Sequence, residues 1–311
     1  MPSHDGAISR RHFTSRAAGA LAFLAAHDLL IGRCAQPPAG VDPQGVGRAG
    51  TGPLIRSIML QTAVPLAEMR AYYCDRFGMP EVESGPARLV LRAGASLVEF
   101  HSQTRSDTDP HEPSPLPLVT HERGPFYHFA FNIPPRKLRA ARAWLLERTA
   151  LVPTPAQLRD PDYPDDVRHF RSWNAHSLFF FDPAYNIVEF IARHDLPTDP
   201  AWTAGDTFTA ADILYASEIG FVVEDPPRHG RMLHDCLGLR AYPPGADTWW
   251  AMGDERGLLL CLPKGRVFGE NTATRKAFAV FETEAMVGLA QNAHTKPVAF
   301  EGLPYSVNIQ P

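Results

Sequence analysis

One supersecondary unit recurs along this 311-residue chain, and the recurrence limits the fold more than any single residue does. The first copy opens with a strand, Ile55 to Thr62. An amphipathic helix follows from Pro65 to Phe77, with Leu66, Met69, Tyr73 and Phe77 on one face and Gly78 as its cap. Short strands around Arg88 to Leu91 and Ser96 to Phe100 complete it. A later copy starts at Glu218 to Val223, has a helix ending Asp235-Cys236-Leu237-Gly238, and closes with Leu258 to Cys261. That helix end matches Asp75-Arg76-Phe77-Gly78. Between them, Phe126 to Arg193 reads as the same unit with a longer middle, its helix spanning Pro135 to Thr149. A fourth copy begins at Ala277 to Phe281, continues through a helix near Glu284 to Asn292, and then fades. Each unit reads β-α-β-β-β, an α+β arrangement with one sheet face under its helix and the other left to line a cleft.

Two stretches carry chemistry. In Phe126-Tyr127-His128-Phe129-Ala130-Phe131-Asn132-Ile133, the period of two puts His128 on the face of Ala130 and Asn132. In the second, Ser177 to Pro183 leads through Ala184 and Tyr185 into Asn186-Ile187-Val188-Glu189-Phe190, and Glu189 sits among apolar neighbours. An imidazole and a carboxylate on strand faces are ingredients of a metal or acid–base site. On residue type alone, a strand histidine is more often a hydrogen-bonded core residue. The His strand, helix and final Asp-Pro-x-x-Asn-Ile-Val-Glu-Phe strand together resemble the vicinal oxygen chelate superfamily of glyoxalase I, extradiol dioxygenases and bleomycin-resistance proteins. The usual Gly of the Asp-Pro-x-Gly-Asn turn is Tyr185 here.

The resemblance implies repeated βαβββ modules paired into half-barrels: a first domain over 53–195 (modules 53–102 and 125–193) and a second over 213–311 (module 215–263 and a partial module 276–311). Residues 194–214 would be the boundary. It further implies one divalent ion (Fe, Mn, Zn or Ni) between modules one and two, held by His128, Glu189 and Glu99. Glu99 or Glu189 would act as the catalytic carboxylate, and Ser57, a poor ligand, would occupy the remaining ligand position. Gln61 shares the face of Ser57, and His101 that of Glu99. His101 stands as a spare ligand or proton shuttle against the blander reading of a surface histidine. Trp173 and Asn174 would hold substrate, with Trp173 as core packing an equal alternative. The second pair offers Glu218 at the His-type position but Cys261 where a closing Glu is wanted and Lys276 or Ala277 opening module four. It is expected to support or to oligomerise. The implied activity is a metal-dependent lyase, isomerase or dioxygenase acting on a small substrate chelated through adjacent oxygens. The alternative is a sequestering protein of the bleomycin-resistance type.

A net charge of −4 gives no basic footprint for nucleic acid. Prolines crowd at 110–117, 152–164 and 197–200 and mark loops, and the long segment 150–172 reads as a lid or an insertion. The four cysteines lack a Cys-x-x-Cys spacing, with Cys74 and Cys236 reading as small core residues of helices. A homodimer is compatible with this sequence. Ser9-Arg10-Arg11-His12-Phe13 followed by the apolar run Ala17 to Ala26 resembles a twin-arginine signal, too short to anchor stably in a bilayer. Arg33 before Cys34 does not fit a lipobox. The expected location is periplasmic or extracellular. Replacing Arg10 and Arg11 with Lys should strand the precursor inside the cell; undiminished export by fractionation would exclude this route.

Overall fold

Two seven-stranded mixed sheets organise the chain, seen in a computed structural model that describes residues 54–102, 125–197, 207–242, 249–268, 276–277, 285–290 and 297–310. The arginine pair, the apolar run after it and Cys34 lie outside the described residues. The first unit contributes β1 (Ile55–Thr62), a helix α1 (Leu66–Arg70) that widens into a π turn (Ala71–Arg76), β2 (Glu81–Ser84), β3 (Arg88–Ala93) and β4 (Ser96–Ser102). The second contributes β5 (His128–Asn132), α2 (Leu138–Leu146), β6 (Val167–Phe170), β7 (Ala175–Phe181) and β8 (Ile187–Arg193). The third contributes β9 (Tyr215–Val223), α3 (Pro226–Leu237), β10 (Trp250–Asp254) and β11 (Gly257–Pro263). A two-residue pair, β12 (Val267–Phe268) and β13 (Lys276–Ala277), precedes β14 (Ala285–Ala290), β15 (Val298–Ala299) and β16 (Tyr305–Gln310).

The repeated unit is present, but the units pair differently from expectation. One sheet runs β15-β16-β14-β1-β4-β3-β2 and joins units one and four. The other runs β10-β11-β9-β5-β8-β7-β6 and joins units two and three. Within every unit the first strand lies parallel to the last, as β5 does to β8, and across each sheet the two first strands meet antiparallel. The division at 194–214 therefore does not separate two domains. Phe208, Ala210 and Ile213 of that stretch are buried in the main core, which draws on all four units. The described residues belong to a single compact unit, Pro37–Pro311.

The fourth unit departs most. Residues 285–290, expected in a helix, form the strand β14, and the expected opening strand at Ala277 contributes only to the short β13. Ala-Met-Val-Gly-Leu-Ala has no decisive period, so long-range pairing with β1 decides its conformation.

Two local details locate the site. The π turn donates from Phe77 N–H to the Tyr72 carbonyl five residues back (3.1 Å) and buries both Tyr72 and Tyr73. Tyr73 then donates to Asp182 Oδ2 (2.8 Å), and Asp182 also accepts from the backbone and side-chain amides of Asn186 (2.9 and 2.8 Å). Burial pushes the Asp182 carboxyl up to about 6 despite these donors. This network holds the turn into β8, where Tyr185 adopts the positive φ (61°) that a glycine would take at no cost.

Phe221 on β9 is fully buried and packs its ring against Phe300 (4.8 Å) and Tyr305 (5.2 Å) of the fourth unit, joining the two sheets. Phe221→Ala should destabilise the fold by about 3–5 kcal/mol, seen as a lower urea midpoint. Leu146→Ala, at a residue 48% exposed, should stay within about 0.5 kcal/mol of wild type.

Candidate metal centre

The antiparallel register of β5 and β9 sets Ala130 opposite Glu218, and the parallel register of β5 and β8 sets Ala130 opposite Glu189. Glu189 and Glu218 thus flank a residue without bulk, two positions from His128 and on its face. His128 Nε2 lies 3.5 Å from Glu189 Oε2 and 3.6 Å from Glu218 Oε2. The donor atoms of the three all fall within 4.8 Å of one another, and the residues are 8%, 2% and 2% exposed. Gly220 makes room: a Cβ there would meet Leu262 Cδ1 at 2.8 Å and His128 Cβ at 3.5 Å.

Each donor is held from behind. His128 Nδ1 donates to the Ile187 carbonyl (3.0 Å), which turns Nε2 towards the carboxylates. Arg193, fully buried, donates from Nη2 to Glu218 Oε1 and from Nε to Ser217 Oγ (3.2 Å), leaving Glu218 Oε2 facing His128. The guanidinium stacks over Trp173 (5.2 Å) and Tyr242 (5.7 Å). Burial first, and then the neighbouring Glu218, push the Glu189 carboxyl up to about 7. Burial opposes charge on His128, yet the two carboxylates together outweigh it and raise the imidazole. Glu189 Oε1 is buried with no hydrogen-bond partner. An orphaned carboxylate oxygen beside an imidazole nitrogen and a second carboxylate is a donor set that fits a divalent transition ion.

The walls are apolar. Phe126, Phe179, Trp173, Val222, Leu258 and Leu260 form a buried cluster on this face, separate from the main core, and Phe179 lies along the His128 ring at 6.2 Å.

Of the residues expected here, the structure brings His128 and Glu189 together and sets Trp173 beside them through Arg193. Glu99 stands in the other sheet, with Arg88 Nη1 at 3.6 Å and His101 Nε2 at 3.3 Å. Ser57, Gln61 and His101 share that sheet, so none of the four joins His128. Asn174 is exposed and donates to Asp195 (2.9 Å), serving its own left-handed turn instead of a ligand. Glu218, expected to be dispensable, is the third member of the group. Cys261 faces the main core, and the register puts Leu260 where a closing Glu would stand. The segment 150–166 is not a lid over this face: Asp166 pairs with Arg142 of α2 (2.5 Å), and Tyr163 packs on the main core behind the sheet.

No family model matches the sequence, and comparison with curated proteins finds none similar. Solved structures are similar in fold. A Bacillus subtilis subsp. subtilis str. 168 protein called a "putative dioxygenase" superposes with a TM-score of 0.51 at 11% identity, over 84% of this chain and 87% of that one. A lactoylglutathione lyase from Agrobacterium tumefaciens matches 44% of this chain and 92% of its own, with TM-score 0.31 and 17% identity. A glyoxalase/bleomycin resistance protein/dioxygenase from Alicyclobacillus acidocaldarius matches 45% and 92%, with TM-score 0.30 and 17% identity. The first of these likenesses shows the fold, an α+β assembly of paired repeated units.

Removing Arg193 would leave the Glu218 charge buried without its partner. Arg193→Met should cost about 3–5 kcal/mol in urea unfolding, whereas adding Glu218→Leu should restore much of the loss. A double variant no more stable than Arg193→Met would contradict this pairing.

Proposed function

We propose that this protein is a metal-dependent enzyme of the vicinal oxygen chelate type, with its centre at His128, Glu189 and Glu218. The observation that carries the reading is the convergence of one imidazole and two buried carboxylates on the apolar-walled face of paired units, with the second imidazole nitrogen tied to a backbone carbonyl. That last feature is the usual arrangement of a ligating histidine. A divalent ion there would supply a Lewis acid for a small substrate bound through adjacent oxygens, or a redox centre for dioxygen.

The chain's own residues supply the rest. Glu189, whose Oε1 has no hydrogen-bond partner, is placed to take a proton from a substrate carbon and return it. Arg193 fixes Glu218 and offsets its charge. Phe179, Trp173 and Leu260 exclude water, which strengthens every electrostatic interaction around the three donors. Lyase or isomerase chemistry would use this proton transfer by Glu189, whereas dioxygenation would draw on the redox capacity of the ion. The protein is proposed to act outside the cytoplasm after twin-arginine export. Among the described residues no helix is long and apolar enough to cross a membrane.

The test is elemental analysis of the full-length protein, followed by a panel of diketones and catechols. Glu189→Gln, Glu218→Gln and His128→Ala should each lose one equivalent of metal, while Glu99→Gln keeps it. Turnover of any accepted substrate should fall about 100-fold or more in Glu189→Gln. Metal retained by all three variants and lost in Glu99→Gln would move the centre to the other sheet and overturn this reading.

A further inference from the structure

A second set of ligating side chains lies on the reverse of the same sheet, and the chemistry proposed above makes no use of it. His169 on β6 and His176 on β7 stand directly opposite each other. They point to the face of Val167, Leu178 and Phe180, which belong to the main core, and away from the face of Phe179 and Glu189. β6 is the edge strand of its sheet. Asp160, from the segment between α2 and β6, completes the group, with all three donor atoms within 4.8 Å of one another.

Hydrogen bonds and ring contacts hold the three side chains together. Asp160 Oδ1 accepts the Asp162 N–H (3.0 Å), which turns Oδ2 inward to lie 3.0 Å from His176 Nε2 and 3.3 Å from His169 Nδ1. His169 Nδ1 is buried and, despite that short distance, makes no hydrogen bond of acceptable angle. The two imidazoles lie parallel, 9° apart with centroids at 4.3 Å, and the Tyr163 ring lies 4.3 Å from that of His176, tilted by 33°. His176 Nδ1 is 2.8 Å from His194 Nε2, so the nitrogen that is not turned to Asp160 already has a partner. Ligating histidines are commonly oriented by such a contact.

We propose that Asp160, His169 and His176 bind a second divalent ion of the zinc type, which fastens the 150–166 segment to the β6–β7 edge, with His194 as the positioning residue behind His176. Two imidazole nitrogens and one carboxylate oxygen form a borderline set that suits zinc and disfavours calcium or magnesium.

The test uses full-length protein stripped with a chelator and titrated with Zn(II) alone, counting bound ions after desalting. Wild type should hold two ions per chain. His169→Gln and Asp160→Asn should each hold one, and so should Glu189→Gln. Zinc should slow proteolytic cleavage within 150–166 at least several-fold in wild type and in Glu189→Gln, but not in His169→Gln. Melting of the variants in chelator should match wild type, which separates loss of metal from loss of fold. Equal zinc content in wild type, His169→Gln and Asp160→Asn, or zinc without effect on cleavage, would overturn the inference. One ion in wild type that His169→Gln loses and Glu189→Gln keeps would support it while sinking the first centre.

Discussion

The antiparallel seam between β5 and β9 is the constraint on which the rest depends. It joins two consecutive units and brings Glu218 from one across to His128 and Glu189 of the other. Both strands are buried along their whole length, so the seam forms deep in apolar surroundings. Taking three ionisable groups there costs several kcal/mol per charge unless each is partnered. Arg193 answers that need for Glu218, the Ile187 carbonyl for His128. Of the three, only Glu189 keeps a carboxylate oxygen with no hydrogen-bond partner. The reactive group of the proposed chemistry is thus the one the protein leaves unsatisfied.

Much of this was legible in the sequence. The unit β-α-β-β-β could be read from strand periodicity and from two glycine-capped helix ends, and Gly78 and Gly238 do take positive φ (75° and 67°). His128 and Glu189 were legible because both sit on strand faces beside a recognisable turn. The pairing of units was not, since every unit offers a similar first strand and no local residue states which partner it meets. That choice placed Glu99 where Glu218 belongs. Gly220 was the available clue, a glycine inside a fully buried strand that marks close approach by its neighbour. The assignment of Cys261 shows a second kind of failure. Strand period is two, so an offset of one residue exchanges the cleft face for the core face, and Leu260 holds the position in question.

The first sheet repeats the geometry of the second without its chemistry. Its corresponding register positions carry Ser57 and Glu99 from unit one, with Met286 of unit four where Glu218 stands in the other sheet. Glu99 is already engaged by Arg88 and His101. A single carboxylate with a cationic neighbour has little reason to attract a metal ion, so the symmetry of the fold is not a symmetry of function. The same separation of backbone from chemistry holds within the second sheet, where Asp160, His169 and His176 share strands with the first centre but face the other way.

The pairing of units is nested like parentheses: units two and three form a continuous inner stretch of chain, while the outer sheet is assembled from its two extremes. The order in which the halves can close during synthesis follows from this. The inner sheet has all its strands once β11 has been made. β1, made first, must wait for β14 almost the whole length of the chain later, leaving one side of an apolar strand open meanwhile. Closing so long a loop costs entropy that grows only slowly with length, but it delays the contact that rewards it. The outer sheet is therefore completed only by the last strands, β14 to β16, and any loss of them would leave β1 with an open edge.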